Sequence, residues 1–207
     1  MKTILVSSLA LVGVALASTL LTAAKAPNRV VASIPAATSY TVDTVHSAVI
    51  FSTTHLNTSR AYGRFNDIAG TFTVDMEKPE NSKVDIQIKV ESVDTAHGGR
   101  DDHLKGPDFF DVKQFPMATF TSTSVKKTAD KKWSVTGPLS LHGVKKDVTI
   151  PLEFTGEGKG RNGEALIGFH GTFQIRRSDF GMKFMPDMLG DAIDLTVSVE
   201  AAAEAKK

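Results

Sequence analysis

The side chains best suited to chemistry lie close together between His97 and His103. This stretch also holds Arg100, Asp101 and Asp102, and imidazole and carboxylate groups are common ligands of zinc and other divalent metals. Neither the H-x-H nor the H-E-x-x-H spacing occurs in the chain, and thiolate ligands are absent because there is no Cys. The sequence therefore predicts no metal site. Arg100, Asp101 and His103 are candidates for contacting a polar headgroup, and a solvated loop is the simpler alternative.

A second group of charged residues follows an alternating stretch near the C-terminus. Arg176, Arg177, Ser178 and Asp179 are consecutive, and we expect Asp179 to pair with an arginine and to cap a turn. No G-x-S-x-G nucleophile elbow occurs, so serine catalysis has no support. The glycines between residues 156 and 163 are not followed by G-K-S or G-K-T, which argues against a phosphate-binding P-loop. The sequence thus predicts no catalytic residue and no required cofactor.

The charge pattern argues against a nucleic-acid partner. The chain has 24 Lys and Arg residues against 23 Asp and Glu residues, a formal net charge of +1. Basic residues never occur in runs longer than two, which is too sparse for a surface that follows a phosphate backbone. Because no Cys is available for disulfides, the fold must be stabilised by its core and its backbone hydrogen bonds.

The N-terminal segment has the pattern of a secretory signal peptide. Lys2 is followed by uncharged, mostly apolar or small residues up to Ala24, and the A-x-A signals favour cleavage after Ala17 or Ala24. An uncleaved anchor is the alternative, because the uncharged stretch approaches the ~20 residues that span a bilayer. We predict a cleaved, soluble periplasmic protein. Its parts are a signal peptide (1–24), a flexible lead-in (25–39), one domain (40–201) and a frayed tail (202–207).

Alternation of apolar and polar residues dominates the rest of the chain. The stretch from Lys83 to Glu91 alternates without interruption, which is typical of a β-strand with one buried face. Similar stretches recur towards the C-terminus, about eight in all, and most are joined by short turns. This pattern favours an all-β fold, an extended eight-stranded antiparallel up-and-down β-barrel, with a β-sandwich as the alternative.

One long segment, residues 94–116, breaks the alternation. It contains a pair of glycines and an aromatic group, Phe109, Phe110 and Phe115. Residues 101–104 are expected to form a short helical turn. A long connection of this kind between strands is typical of a lid over one end of a barrel.

Side-chain volume along the inward face decides whether such a barrel is hollow. A barrel of eight strands has room for its own side chains or for one slim ligand. Small residues at Gly70, Ser122, Gly137 and either Gly168 or Gly171 would leave space along the axis. A core filled by its own aromatic side chains is the alternative.

A series of ordered motifs runs through the domain from residue 40 to about residue 200. The motifs include His46-Ser47, Gly63-Arg64-Phe65, Arg100-Asp101-Asp102-His103-Leu104, Asp108-Phe109-Phe110-Asp111, Leu141-His142-Gly143-Val144 and Arg177-Ser178-Asp179-Phe180-Gly181. Together they resemble the YceI-like family of periplasmic polyisoprenoid-binding proteins. The resemblance implies a lipocalin-like barrel around a long isoprenoid or similar amphiphile, no catalytic residues, and pairing into a homodimer.

We therefore predict a non-catalytic carrier that holds a long apolar amphiphile: a polyisoprenoid, an isoprenoid quinone or a fatty-acid derivative. A structural or stress-protective module with a filled core is the alternative, and an enzyme acting on such lipids is a third hypothesis. Such a ligand otherwise lies in a membrane, so binding moves its chain from one apolar environment to another. Most of the hydrophobic free energy of transfer therefore cancels, and we expect exchange through transient membrane contact. The predicted ligand-binding residues of the interior and mouth are Val49, Phe51, Phe65, Phe72, Ile86, Ile88, Arg100, Asp101, His103, Leu104, Phe109, Phe110, Phe115, Phe120, Leu139, Leu141, Phe169, Phe173 and Phe180.

Overall fold

The computed structural model describes residues 37–203, so the predicted signal peptide and nearly all of the lead-in lie outside the described residues. Strands account for most of this range. They are β1 (Thr38–Val42), β2 (Ala48–His55), β3 (Ser59–Phe65), β4 (Ile68–Val74), β5 (Lys83–Lys89), β6 (Val93–Asp94), β7 (Met117–Thr121), β8 (Ser124–Ala129), β9 (Lys132–Leu141), β10 (Val144–Lys159), β11 (Ala165–Arg176) and β12 (Ala192–Ala203), and the helix α1 is Gly98–Lys105.

The sheet closes on itself into a barrel. Hydrogen bonds link β1, β4, β5, β7, β9, β10, β11 and β12 in that order, and β12 returns to β1. β1 and β2 lie against successive lengths of β12, so they are two halves of one long interrupted strand. The pairs β3–β4, β5–β6 and β7–β8 are interrupted strands of the same kind. Counted in this way, the barrel has eight antiparallel strands in sequential order, which confirms the predicted up-and-down barrel and excludes the sandwich.

The first and last strands make the closing contact. Tyr40 pairs with Ala203 and Val42 with Ala201. Both strands run beyond the predicted domain of residues 40–201, because β1 starts at Thr38 and β12 ends at Ala203. This pairing gives the backbone groups of both ends hydrogen-bond partners and removes the sheet edges.

Glycines on the inward face permit close approach between strands rather than widening the interior. A Cβ at Gly137 would lie 2.1 Å from the carbonyl oxygen of Thr121, and a Cβ at Gly171 would lie 2.3 Å from that of Pro151. At these positions the neighbouring backbone therefore comes closer than a residue with a Cβ would allow. Neither glycine is among the residues that line the cavity, so the close approach of neighbouring strands, and not free space, is what these two positions provide.

Two groups of buried side chains occupy opposite ends of the barrel. The floor cluster consists of Tyr40, Val42, Phe72, Val74, Phe120, Val125, Trp133, Val135, Ile167 and Ala201. The lid cluster consists of Val49, Phe65, Ile68, Val90, Val93, Ala118, Leu141, Phe180 and Met182. β9 connects them, since Trp133 near its start belongs to the floor and Leu141 at its end belongs to the lid cluster.

The irregular segment of residues 94–116 forms the predicted lid. Its helix α1 is longer than the expected turn, and the His97 side chain caps it by accepting a hydrogen bond from the Arg100 N–H. Leu104, Phe110 and Val112 pack against the lid cluster. No helix within residues 37–203 is long and apolar enough to span a bilayer.

Candidate ligand-binding site

An apolar cavity runs through the barrel between the floor cluster and the lid cluster. Its volume is about 180 Å³ and its wall includes residues of both clusters. Along β9 the wall extends from Trp133 to Leu141, a distance of roughly 27 Å along the strand. With the strand tilt usual in barrels, this corresponds to about 20 Å along the axis. The space is therefore long and narrow rather than round.

Burial along the inward face shows where the empty space lies. Val135 and Ile167 are almost fully buried, whereas Ile150, Leu152 and Val197 face inwards and are only half buried. These half-buried side chains line the cavity, so their remaining exposure is to its interior. The wall formed by β10 to β12 thus borders unfilled space, which rules out a core filled throughout by protein atoms.

The cavity wall is almost free of polar atoms. Among the described residues that line it, only Thr73 and Ser82 have polar side chains, and none is charged. The Ser82 hydroxyl oxygen already accepts a hydrogen bond from the Asp75 N–H. A charged or unpaired polar group inside would lose its hydration without a replacement partner. The cavity consequently suits an apolar chain.

A chain of aromatic rings closes the floor. The ring centroids of Tyr40 and Phe72 are 5.9 Å apart, those of Phe72 and Phe169 are 6.1 Å apart, and those of Trp133 and Phe169 are 6.0 Å apart. Such edge-to-face and offset contacts stabilise aromatic clusters beyond the area they bury. Burial raises the pKa of the Tyr40 hydroxyl above its ordinary value.

Aromatic side chains also join the lid to the barrel. The Phe65 ring lies 5.6 Å from that of Phe110 in the lid and 5.5 Å from that of Phe51 in β2. On the other side of the lid, the Phe184 ring contacts Phe109 and His103 at centroid distances of 5.5 and 5.6 Å. The lid is therefore fixed by ring contacts to two different parts of the chain.

The structure divides the predicted site residues into two sets. The cavity is lined by Val49, Phe65, Phe72, Ile86, Ile88, Phe120, Leu139, Leu141, Phe169 and Phe173. The remaining residues lie outside the cavity wall, in the lid, in β2 or in the loop after β11: Phe51, Arg100, Asp101, His103, Leu104, Phe109, Phe110, Phe115 and Phe180.

The polar lid residues have partners within the lid itself. The Arg100 guanidinium donates from Nε to the Thr95 hydroxyl at 2.7 Å and from Nη2 to the Thr95 carbonyl at 2.7 Å. Asp101 accepts from the Thr95 N–H at 2.9 Å, and His103 Nε2 lies 3.1 Å from Asp108 Oδ2. These groups hold the lid in shape, and their contact with a headgroup stays a prediction.

Arg177 is a structural residue whose role the sequence did not indicate. Its side chain is only 6% exposed, and it organises the loop between β11 and β12. The guanidinium donates hydrogen bonds to the backbone carbonyls of Met182, Phe184, Met185, Leu189 and Gly190. The neighbouring Asp179 differs from expectation, because it pairs with Lys146 of β10 at 3.0 Å and not with an arginine.

His142 links this loop to the lid. Its Nδ1–H donates to the carbonyl of Phe180 at 2.9 Å, and its ring lies 4.7 Å from that of Phe115. The predicted residues Phe115 and Phe180 therefore belong to the support of the lid. A change at either position acts on the cavity through the lid.

A second cluster that the sequence did not indicate joins the bend after β1 to β12. His46 Nδ1 lies 2.8 Å from Asp43 Oδ2 and 3.8 Å from Glu200 Oε1, an arrangement of one imidazole and two carboxylates within 4.8 Å. The Asp43 hydrogen bond raises the pKa of His46, and the same bond lowers the pKa of Asp43. Asp43 also accepts from the N–H groups of Val45 and His46. These contacts stabilise the turn after β1, next to the β1–β12 pairing that closes the barrel.

A closed eight-stranded antiparallel barrel around an apolar cavity defines the class of small lipocalin-like barrels, whose interior has room for one slim ligand. This chain belongs to the YceI-like family, because the YceI-like domain matches residues 40–201.

Known relatives agree with this assignment. The UPF0312 protein of Pseudomonas savastanoi pv. phaseolicola is 43% identical over 155 residues, 75% of this chain and 80% of that protein. The crystal structure of the YCEI protein of Campylobacter jejuni superposes with a TM-score of 0.64 at 38% identity, over 74% of this chain and 90% of that chain. A polyisoprenoid binding domain from Saccharophagus degradans has the same fold, with a TM-score of 0.61 at 14% identity over 81% of this chain and 99% of that one.

Proposed function

We propose that this protein is a non-catalytic carrier that holds one long apolar amphiphile inside its barrel. The ligand class is a polyisoprenoid, an isoprenoid quinone or a fatty-acid derivative. The observation that carries the proposal is the cavity itself, which extends from Trp133 to Leu141 and is lined, among the described residues, by no charged side chain. The polyisoprenoid binding domain of the same fold supports the choice of ligand class.

Geometry also supports a binding role over a catalytic one. Proton transfer and nucleophilic attack need titratable or nucleophilic groups within reach of the substrate. Within residues 37–203, the cavity wall contributes only the hydroxyls of Thr73 and Ser82, and neither has a neighbouring base in that wall. A chain held there is sheltered from water and left chemically unchanged.

Exchange with membranes follows from the energetics of such a ligand. Transfer from water gains about 0.8 kcal/mol per buried CH₂, but the ligand's alternative location is another apolar phase. The hydrophobic gain therefore nearly cancels, and the fit of the chain and the contacts of its headgroup decide the balance. A carrier that loads and unloads at a membrane is the role that suits this balance, and the predicted signal peptide would place it in the periplasm.

A vesicle-transfer assay tests the proposal with a matched pair of variants. Val197 lines the cavity and is half buried, whereas Ser198 is exposed on the other face of the same strand. We expect wild type and Ser198→Phe to move a polyprenyl lipid from donor to acceptor liposomes, and Val197→Phe to move much less because its ring fills the cavity. Equal transfer by both variants, or no transfer by wild type, would contradict the proposal.

A further inference from the structure

The two ends of the cavity offer different surroundings to a ligand. At the floor, Tyr40 is fully buried, Trp133 is 3% exposed and Phe72 is 6% exposed, and all three belong to strands of the closed sheet. At the lid end, polar groups stand just outside the wall, among them His142 and the Lys146–Asp179 pair. The Lys132–Glu153 pair stands outside the floor in the same way, beside Trp133, so polar groups alone do not set the direction of a bound chain. The direction follows from how the two ends open: the floor consists of paired strands, whereas the lid consists of irregular segments, which open locally at lower free energy. A chain that enters at the lid end inserts its apolar end first and leaves its headgroup there.

Trp133 is the side chain that most clearly defines the floor. It lines the cavity, and its ring packs edge-to-face on Phe169, which packs on Phe72 in turn. Its Nε1–H is covered by protein atoms and has no hydrogen-bond partner within residues 37–203. An unpaired buried donor is costly, and since the nitrogen is covered, it is not presented to a ligand. The indole thus contributes its size and its apolar surface.

We infer that the ligand is bound with its apolar end towards the floor, and that Trp133 limits the length of chain that the barrel accepts. This inference rests on the proposed function and adds the direction and the length of the bound chain. The chain runs past Val135 and Ile150, which pair across β9 and β10 and both line the cavity. Its headgroup then lies at the lid end, where polar partners are available.

The fluorescence of Trp133 tests the direction of binding, because it is the only Trp of the chain. The probes are two isomers of one long-chain alcohol, brominated either at the far end of the chain or beside the hydroxyl, and delivered from phosphatidylcholine vesicles. Bromine quenches indole emission at short range. We expect the chain-end isomer to quench Trp133 several-fold more strongly than the isomer brominated beside the hydroxyl. Stronger quenching by the second isomer would overturn the inference.

Native mass spectrometry of the same samples distinguishes a wrong floor assignment from a failed carrier function. If the alcohol is retained but neither isomer quenches, the floor assignment is wrong while the carrier function stands. If wild type retains no alcohol, the proposed function and the inference fail together. Ile150→Phe should reduce quenching by blocking the path to the floor, and Thr149→Phe, on the outer face of the same strand, should leave quenching unchanged.

The length limit is tested with a series of prenyl alcohols that differ by single isoprene units. Trp133→Ala opens the floor and should raise the longest retained alcohol by at least one unit, whereas Trp133→Phe keeps most of the volume and should leave it unchanged. Should Trp133→Ala fail to fold, Ile150→Phe provides the opposite change and should shorten the longest retained chain. If wild type, Trp133→Ala and Ile150→Phe all retain alcohols up to the same length, the proposed length limit is wrong.

Discussion

The floor and the lid close the same cavity by different means. The floor consists of regular strands and the buried floor cluster, in which Tyr40 is fully buried and Ile167 is 2% exposed. The lid and the adjoining loop between β11 and β12 are irregular segments stabilised by polar contacts, Thr95 with Asp101 in the lid and Arg177 with backbone carbonyls in the loop. Regular strands open only with the whole fold, whereas irregular segments open locally at lower free energy. On the proposed function, we expect the floor to be the fixed end of the binding site and the lid to be the end through which the ligand enters.

The largest effect is expected at the floor. Ile167→Ala removes a side chain that is 2% exposed, and we expect it to lower the free energy of unfolding by about 3 to 4 kcal/mol. Because the floor opens only when the barrel unfolds, hydrogen exchange should accelerate in strands on both sides of it. Urea denaturation provides the measurement, and Thr172→Ala on the outer face of β11 should change stability by less than about 0.5 kcal/mol. A local effect confined to β11 would contradict the picture of a rigid floor.

A smaller and more local loss is expected at the lid end from Arg177→Met. The variant keeps much of the side-chain length but leaves the carbonyls of the loop between β11 and β12 without their donor. We expect a loss of about 2 to 3 kcal/mol, with faster hydrogen exchange concentrated in residues 182–190. Arg176→Met is the matched control, since Arg176 is exposed. Equal effects of the two variants would show that the guanidinium does not organise the loop.

A weaker perturbation of the lid should change ligand exchange more than stability. Thr95→Val keeps the shape of the side chain but removes the hydroxyl that accepts from Arg100 Nε and donates to Asp101. We expect a stability loss of about 1 kcal/mol and a several-fold faster transfer of lipid between vesicles. Thr128→Val, at an exposed position of β8, is the control. Slower transfer by Thr95→Val would argue against admission through the lid.

The smallest effect on stability is expected in the turn after β1, where His46 contacts Asp43, and it depends on pH. The pKa of His46 is raised from 6.5 by Asp43, and the pKa of Asp43 is lowered from 3.8 by His46. The His46 contribution is complete below about pH 6.5 and disappears as the pH rises through the raised pKa. The Asp43 contribution is complete above about pH 4 and disappears as the pH falls through the lowered pKa. Urea midpoints of wild type and His46→Gln should therefore differ most between about pH 4 and 6.5 and converge at high pH. A constant difference would refute the ion pair.

Sequence patterns predicted the barrel better than its ends. Period-two alternation, as in residues 83–91, identified strands with one buried face, and sequential order was enough to predict the barrel. The same alternation in β10 and β12 contained Ile150 and Val197, but only the closed sheet showed that they face unfilled space.

The lid contacts depend on residues that are distant in the chain, which a local pattern does not encode. Arg177 binds backbone carbonyls, which carry no side-chain signature. Asp179 meets Lys146 only because β10 passes beside the loop. Arg100 and Asp101 belong to a recognisable motif, yet their partner within the lid, Thr95, became evident only from the fold. Polar residues at an irregular segment can thus stabilise a lid without reaching the ligand.

Native mass spectrometry of the protein purified from an exporting host, followed by lipid extraction, tests the central claim most directly. We predict one long-chain lipid per barrel in wild type and in Ser198→Phe, and strongly reduced occupancy in Val197→Phe. An empty wild-type barrel, or equal lipid content in Val197→Phe and wild type, would contradict it.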